Sequence, residues 1–198
     1  MNITMLDQLV RDIKEKGWSF QENILTAHDL SQVTEFFEKH RSEFEPARIG
    51  KGELRQRREE VRGDHTFWID PLDPPPAFTK IMNLLEDLKT DLNRAIFLGA
   101  REYECHLAYY PAGTFYQKHI DRFENDSSRV LSFVFYLHEE LRPGDGGELV
   151  LYGEETTTIS PLPGSLVIFL SEGLPHEVRP CLRERRSFTG WMHSKIIY

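Results

Sequence analysis

The stretch Tyr109-Tyr-Pro-Ala-Gly-Thr-Phe-Tyr116-Gln-Lys-His119-Ile-Asp121 places a histidine and an aspartate two residues apart. On an extended segment such a pair points its side chains to the same face. An imidazole and a carboxylate so placed supply two ligands of the two-His, one-carboxylate facial triad, which holds Fe(II) on one side and leaves coordination positions open on the other. His176, in Leu174-Pro-His176-Glu-Val178, is the candidate for the third ligand.

Nine residues beyond His176, Arg185 opens the segment Arg185-Arg-Ser-Phe-Thr-Gly-Trp191. Strand alternation predicts that Arg185, Ser187, Thr189 and Trp191 share a face. An arginine facing the inside of a buried strand requires an anion, because an unpaired buried charge is costly. A metal with open positions beside an arginine that needs a carboxylate describes a site for a bidentate keto acid with a distal carboxylate, which is 2-oxoglutarate. Arg186 is a rival for this role but falls on the opposite strand face. His106, His138 and His193 are rivals for the imidazole positions, His138 ending its strand among Glu139 and Glu140.

The chain has 198 residues and 39% hydrophobic content, enough for a substantial core. It is expected to form one domain over 1–198, with helical support in 1–97 and a catalytic core at about 98–195. The net charge of −8 argues against nucleic acid or an anionic membrane as a partner. Cys105 and Cys181 form neither a metal knuckle nor a disulfide framework, and the N-terminus lacks a basic region followed by an apolar run, so a cytoplasmic location is expected.

Leu6, Leu9, Val10 and Ile13 predict an amphipathic helix stopped by Gly17. Trp18 to Glu22 alternates like a short strand, and Thr26 with Asp29 gives a capping-box start to a second helix carrying Leu30, Val33, Phe36 and Phe37. From Phe44 to Asp64 periodicity dissolves into a basic segment with Arg48, Lys51, Arg55, Arg57, Arg58 and Arg62 against Glu53, Glu59 and Glu60. Long aperiodic loops in compact domains are commonly functional lids, so this segment is a candidate substrate lid, with Asp64 expected to pair with Arg129. Phe67-Trp-Ile reads as a strand, and a long helix follows Asp73-Pro-Pro-Pro, with Phe78, Ile81, Leu85, Leu88, Leu92 and Ile96 on one face. Thereafter the chain turns to strands: 104–110, 115–120, 129–138, 148–152, 165–170, 176–178 and 186–192. Helices first and short strands after predict an α+β domain ending in a sandwich or barrel.

With these residues in place, the chain resembles the Fe(II)/2-oxoglutarate-dependent oxygenases, and within them the oxygen-sensing prolyl hydroxylases and their bacterial relatives. The resemblance is carried by Arg62-Gly-Asp-His-Thr-Phe-Trp68, Tyr109 and Tyr116 ahead of His119 and Asp121, Phe135-Tyr136-Leu137, Gly146-Gly-Glu-Leu149, Pro175-His176-Glu-Val178, and Arg185 six residues before Trp191. It implies a double-stranded β-helix, or jelly-roll, backed by N-terminal helices. It also implies that Tyr136 donates its hydroxyl to the distal carboxylate of 2-oxoglutarate alongside Arg185, with Tyr109, Val134, Leu149, Val178, Thr189 and Trp191 lining the same pocket. Tyr116 is assigned to the substrate side. Fe(II), 2-oxoglutarate and O2 are the implied cofactors, with ascorbate as reductant. The implied reaction is hydroxylation of a prolyl residue of a protein substrate, such as a translation elongation factor, with release of succinate and CO2. Two alternatives stay open: a hydroxylase of another residue, free amino acid or small metabolite, and a catalytically silent jelly-roll that keeps the metal.

Overall fold

The computed structural model describes residues 3–48, 58, 60–122 and 127–197. Helix α1 (Ile3–Lys16) stops where Gly17 takes a φ of 78°, a turn that only glycine enters without strain. Helix α2 (Ala27–Lys39) starts with the expected reciprocal cap: Thr26 Oγ1 accepts from the Asp29 amide at 3.2 Å, and the Thr26 amide donates to Asp29 Oδ2 at 2.8 Å. A 3-10 turn (Pro76–Phe78) leads into helix α3 (Thr79–Ile96), which buries Ile81, Met82, Leu85, Leu88 and Leu92 on one face.

The strands form two antiparallel sheets. The larger contains β1 (Trp18–Gln21), β2 (Glu45–Pro46), β3 (His65–Ile69), β4 (Glu102–Tyr110), β6 (Arg129–Tyr136), β9 (Leu166–Leu170) and β11 (Arg185–His193), in the order β1-β9-β6-β11-β4-β3-β2. The smaller contains β5 (Tyr116–His119), β7 (Leu149–Tyr152), β8 (Thr156–Ile159) and β10 (His176–Val178), in the order β5-β10-β7-β8. Helices on one face of a large sheet and a second sheet on its other face make this an α+β double-stranded β-helix.

Alternation along β6 divides the interior. Leu131, Phe133 and Phe135 join the apolar faces of α1, α2 and α3 in one core. Val134 and Tyr136 turn the other way and pack with Leu149, Leu151, Val167 and Phe169 between the sheets. The strand is thus apolar on both faces because both faces are covered. Phe133 is fully buried, so truncating it to alanine should cost about 3–5 kcal/mol.

Two strands were not foreseen in the sequence. β8, Thr156-Thr-Thr-Ile159, pairs only with β7 at the rim, where polar side chains meet solvent and leave no hydrophobic alternation to read. β2 is a two-residue edge strand inside the segment read as aperiodic, and it pairs with β3.

Candidate active site

The site grows from the pairing of β5 with β10, whose register sets His119 opposite His176. The two imidazole rings lie 4.2 Å apart between centroids. Asp121 lies two residues past the end of β5, and its carboxylate lies 3.6 Å from His119 Nε2 and 3.5 Å from His176 Nε2. Ligand atoms of all three side chains fall within 4.8 Å of one another, a spacing that could hold a metal ion.

The Nδ1 atoms face backbone carbonyls, His119 that of Gln117 at 2.8 Å and His176 that of Leu174 at 3.1 Å. A carbonyl can only accept, so each Nδ1 carries the proton and each Nε2 presents a lone pair to the common point. Ser132 donates to Asp121 Oδ2 at 2.7 Å and fixes the carboxylate plane. Burial alone would raise the Asp121 carboxyl, but His176 and His119, when protonated at Nε2 as well, hold it far below the usual range. Burial lowers His176, with Asp121 opposing. Tyr116 stacks on His119 at 3.6 Å, and the Arg62 guanidinium lies 4.3 Å over the Tyr116 ring.

Arg185 lines the same cavity and is 3% exposed. It donates through Nε to the Gly147 carbonyl at 3.0 Å and through an Nη to Ser187 Oγ at 3.1 Å. Among the described residues no acid pairs with it. Its guanidinium sits 4.9 Å from the Tyr110 ring centre and 5.1 Å from that of Tyr136, whose hydroxyl is buried without a hydrogen-bond partner. A buried cation without a counter-anion beside an orphaned phenol fits the carboxylate of a dicarboxylic acid. Gly147 adopts a φ of 73°, and a Cβ there would stand 2.9 Å from Arg185 Cδ and 3.0 Å from Cys181 Sγ, so glycine makes room for the arginine stem. Arg186 points to the opposite face, where it pairs with Glu38 at 2.7 Å and with Glu184.

Val134, Leu149, Val178, Thr189 and Trp191 line the cavity between the metal-ligand cluster and Arg185, together with Phe169, which the sequence reading missed. Tyr109 does not belong there. It packs against Phe37 and Phe44 on the helix side and accepts a hydrogen bond from Arg41 at 2.8 Å. The register sets Arg185 opposite Tyr110 and Arg186 opposite Tyr109, so Tyr110 is the tyrosine that enters the cavity.

A larger groove of about 480 Å³ opens outside the cluster, lined by Arg48, Arg62, Tyr116, Arg129, Trp68 and Trp191 among others. Lys51 and Arg55, with most of the basic segment, lie outside the described residues. The expected Asp64–Arg129 pair is corrected. Asp64 is held two residues away by Arg62, with Nε to Oδ1 at 2.7 Å. Arg129 instead donates to Glu104 at 2.7 Å and to the Asp121 carbonyl at 3.2 Å, and stacks 3.6 Å over Trp191. An extended chain brings a near-neighbour fork to Asp64 first, whereas Glu104 on β4 and Arg129 on β6 reach each other across the intervening strand β11.

No helix of the described residues is long and apolar enough to cross a membrane. Residues 105–193 match the family model of the 2OG-Fe(II) oxygenase superfamily. An uncharacterised PKHD-type hydroxylase of Synechocystis is 32% identical over 136 residues, 59% of this chain and 44% of that protein. The chain thus spans less than half the length of that relative. The crystal structure of a Pseudomonas putida prolyl-4-hydroxylase aligns with a TM-score of 0.86 at 37% identity, over 97% of this chain and 100% of that one. A Trichoplax adhaerens prolyl hydroxylase, solved with a hypoxia-inducible-factor peptide fragment, aligns with a TM-score of 0.87 at 23% identity, over 96% and 90%, and shares the fold. The converging donors, the buried arginine and these likenesses agree: the chain belongs to the 2OG-Fe(II) oxygenase superfamily, in its prolyl hydroxylase branch.

Proposed function

We propose that this protein is a dioxygenase that hydroxylates a prolyl residue of a protein substrate, with His119, Asp121 and His176 holding Fe(II), and Arg185 with Tyr136 holding 2-oxoglutarate. The observation that carries the reading is a single cavity lined both by a convergent His, Asp and His and by a buried arginine without an acid. Bound there, Fe(II), 2-oxoglutarate and O2 supply the oxidising power for hydroxylation of an unactivated C–H bond, with conversion of the keto acid to succinate and CO2.

The chain's own residues bind, orient and exclude. The carbonyls of Gln117 and Leu174 keep the Nε2 lone pairs of His119 and His176 available, and Ser132 orients Asp121. Arg185, fixed by Gly147 and Ser187, offers its remaining donors to the distal carboxylate beside the Tyr136 hydroxyl. Val134, Leu149, Val178 and Phe169 keep water from the cavity. No side chain need act as a general base.

The outer groove continues from the metal-ligand cluster and has room for an extended segment, which favours a peptide over a sealed-in metabolite. A translation elongation factor is one candidate, and ascorbate is the expected reductant. The test supplies Fe(II), 2-oxoglutarate, ascorbate and O2, measures succinate, and searches treated lysate by mass spectrometry for prolines that gain one oxygen. Alanine at His119, Asp121 or His176 should each abolish iron-dependent succinate formation. Near-normal turnover in any of the three would remove that residue from the set, and 2-oxoglutarate left untouched by the unmodified chain would favour a silent jelly-roll.

A further inference from the structure

Directly across β4 from the dry, helix-facing residues, His106 sits at the throat where the inner cavity meets the outer groove, and it lines both. Its strand partners are Trp68 on one side and Thr189 on the other. The ring lies 4.7 Å from that of Trp68 and 5.5 Å from that of Trp191, so the imidazole is set between two indoles. It is 2% exposed, and its Nδ1 is buried with no hydrogen-bond partner. The polar groups around it are engaged elsewhere. Thr189 donates to the Phe133 carbonyl, Arg62 and Asp64 hold each other, and Glu104 holds Arg129 and His193.

Nδ1 is buried without a partner while the residue lines both cavities, which assigns Nε2 to the side that faces them. An unfilled acceptor lone pair is better tolerated in a protein interior than an unpaired N–H. The proton therefore belongs on Nε2, and the ring presents a donor toward the substrate path. Burial, aided by the Arg62 charge, pushes its pKa down to about 4, so the ring stays neutral near pH 7.

We propose that His106, between Trp68 and Trp191, is a substrate-binding residue that donates from Nε2 to a main-chain carbonyl of the peptide, making this throat a subsite for a flat amide. The proposal rests on the peptide hydroxylase reading above and adds the group that reads the peptide backbone. A flat amide is the chemistry that suits both features: its faces can lie against indoles, and its oxygen is a strong acceptor. A free amino acid offers no such internal amide.

The test uses the full chain loaded with Zn(II) and 2-oxoglutarate, and short N-acetylated peptide amides with a central proline as probes. Peptide affinity is followed by tryptophan fluorescence, and the His106 ring nitrogens by NMR on histidine labelled with nitrogen-15. Expected is an Nε2–H tautomer whose proton shifts on peptide binding. His106→Phe, which keeps the aromatic filling, should weaken binding by about three- to tenfold, the loss of one neutral hydrogen bond. His106→Gln, which keeps an N–H donor, should restore most of it. In an ester scan of the peptide, one amide-to-ester replacement should weaken binding to the unmodified chain and leave His106→Phe indifferent. Unchanged affinity in His106→Phe, no rescue by His106→Gln, an Nδ1–H tautomer, or no peptide bound by the loaded chain each overturns the proposal. Absence of iron-dependent 2-oxoglutarate turnover in the unmodified chain is a separate result, and overturns the reading beneath it.

Discussion

Arg185 and Arg186 are adjacent in the chain and opposite in circumstance. Arg185 is buried with only neutral partners, whereas Arg186 is paired with Glu38 and Glu184 on the helix side. A charge-assisted hydrogen bond is worth roughly 1.5–3 kcal/mol, so Arg185→Ala should raise the 2-oxoglutarate concentration for half-maximal turnover by about one to two orders of magnitude. Arg186→Ala should leave it within about twofold, since an ion pair at a partly exposed position contributes roughly 0–1 kcal/mol. Titrating 2-oxoglutarate against succinate formation checks both, and a reversed order would show that the strand face had been misassigned. The face of Arg185 was legible in the sequence because Arg185, Ser187, Thr189 and Trp191 form one alternating series, and all four line the cavity. The tyrosine opposite was not. Tyr109 and Tyr110 fall on opposite faces, and the phase of β4 is fixed by its register with β11 and β3. Gly147 is legible as a turn, but its second role, leaving space for the Arg185 stem, depends on a contact 38 residues away in sequence.

At the scale of elements, β4, β6 and β11 are tied near one end by a cluster that strand patterning does not reveal. Glu104 on β4 accepts from Arg129 on β6 at 2.7 Å and pairs with His193 on β11 at 3.1 Å, and His193 Nδ1 meets Ser128 at 3.0 Å. Burial would raise the Glu104 carboxyl, but the His193 hydrogen bond and the Arg129 charge hold it at about 2, below its ordinary 4.5. The folded state thus binds the proton more weakly than the unfolded one. The stabilisation is fully present above about pH 4.5 and is lost as pH falls toward 2. Glu104→Gln should therefore lower stability by about 1–3 kcal/mol near pH 7, and the deficit should shrink through that acid window. Urea unfolding of both proteins between neutral pH and pH 3 checks this, and a deficit constant with pH would mean that the loss is one of packing. Helices, their caps and the two-faced character of β6 could be read from periodicity because each is a local pattern. The rim strand β8 and this polar cluster could not, since one lacks an apolar face and the other is assembled from residues 25 and 89 positions apart.

For the whole molecule, charge is distributed against its own sum. The chain carries −8, yet positions 48–62 hold Arg48, Lys51, Arg55, Arg57, Arg58 and Arg62 against Glu53, Glu59 and Glu60, and both Arg48 and Arg62 reach the outer groove. An acidic peptide approaching at random meets net repulsion, while one approaching the groove meets a local positive field. Two of the cations there are already committed, Arg62 to Asp64 and Arg129 to Glu104, so they shape the wall more than they attract. Any steering by the other cations of the segment would reach over about one Debye length, ~10 Å at 0.1 M salt. Two proline-centred peptides that differ only in flanking acidic or neutral residues should separate the contributions. Raising salt from about 0.05 to 0.5 M shortens the Debye length, so the association rate of the acidic peptide should fall severalfold while that of the neutral one stays nearly flat. Replacing Lys51, Arg55, Arg57 and Arg58 by glutamine should flatten the acidic peptide's salt dependence, and stopped-flow tryptophan fluorescence on the Zn(II)-loaded chain reads all three. If the acidic peptide keeps its salt dependence after that replacement, the steering field comes from the groove wall and the basic segment has no part in recruiting substrate.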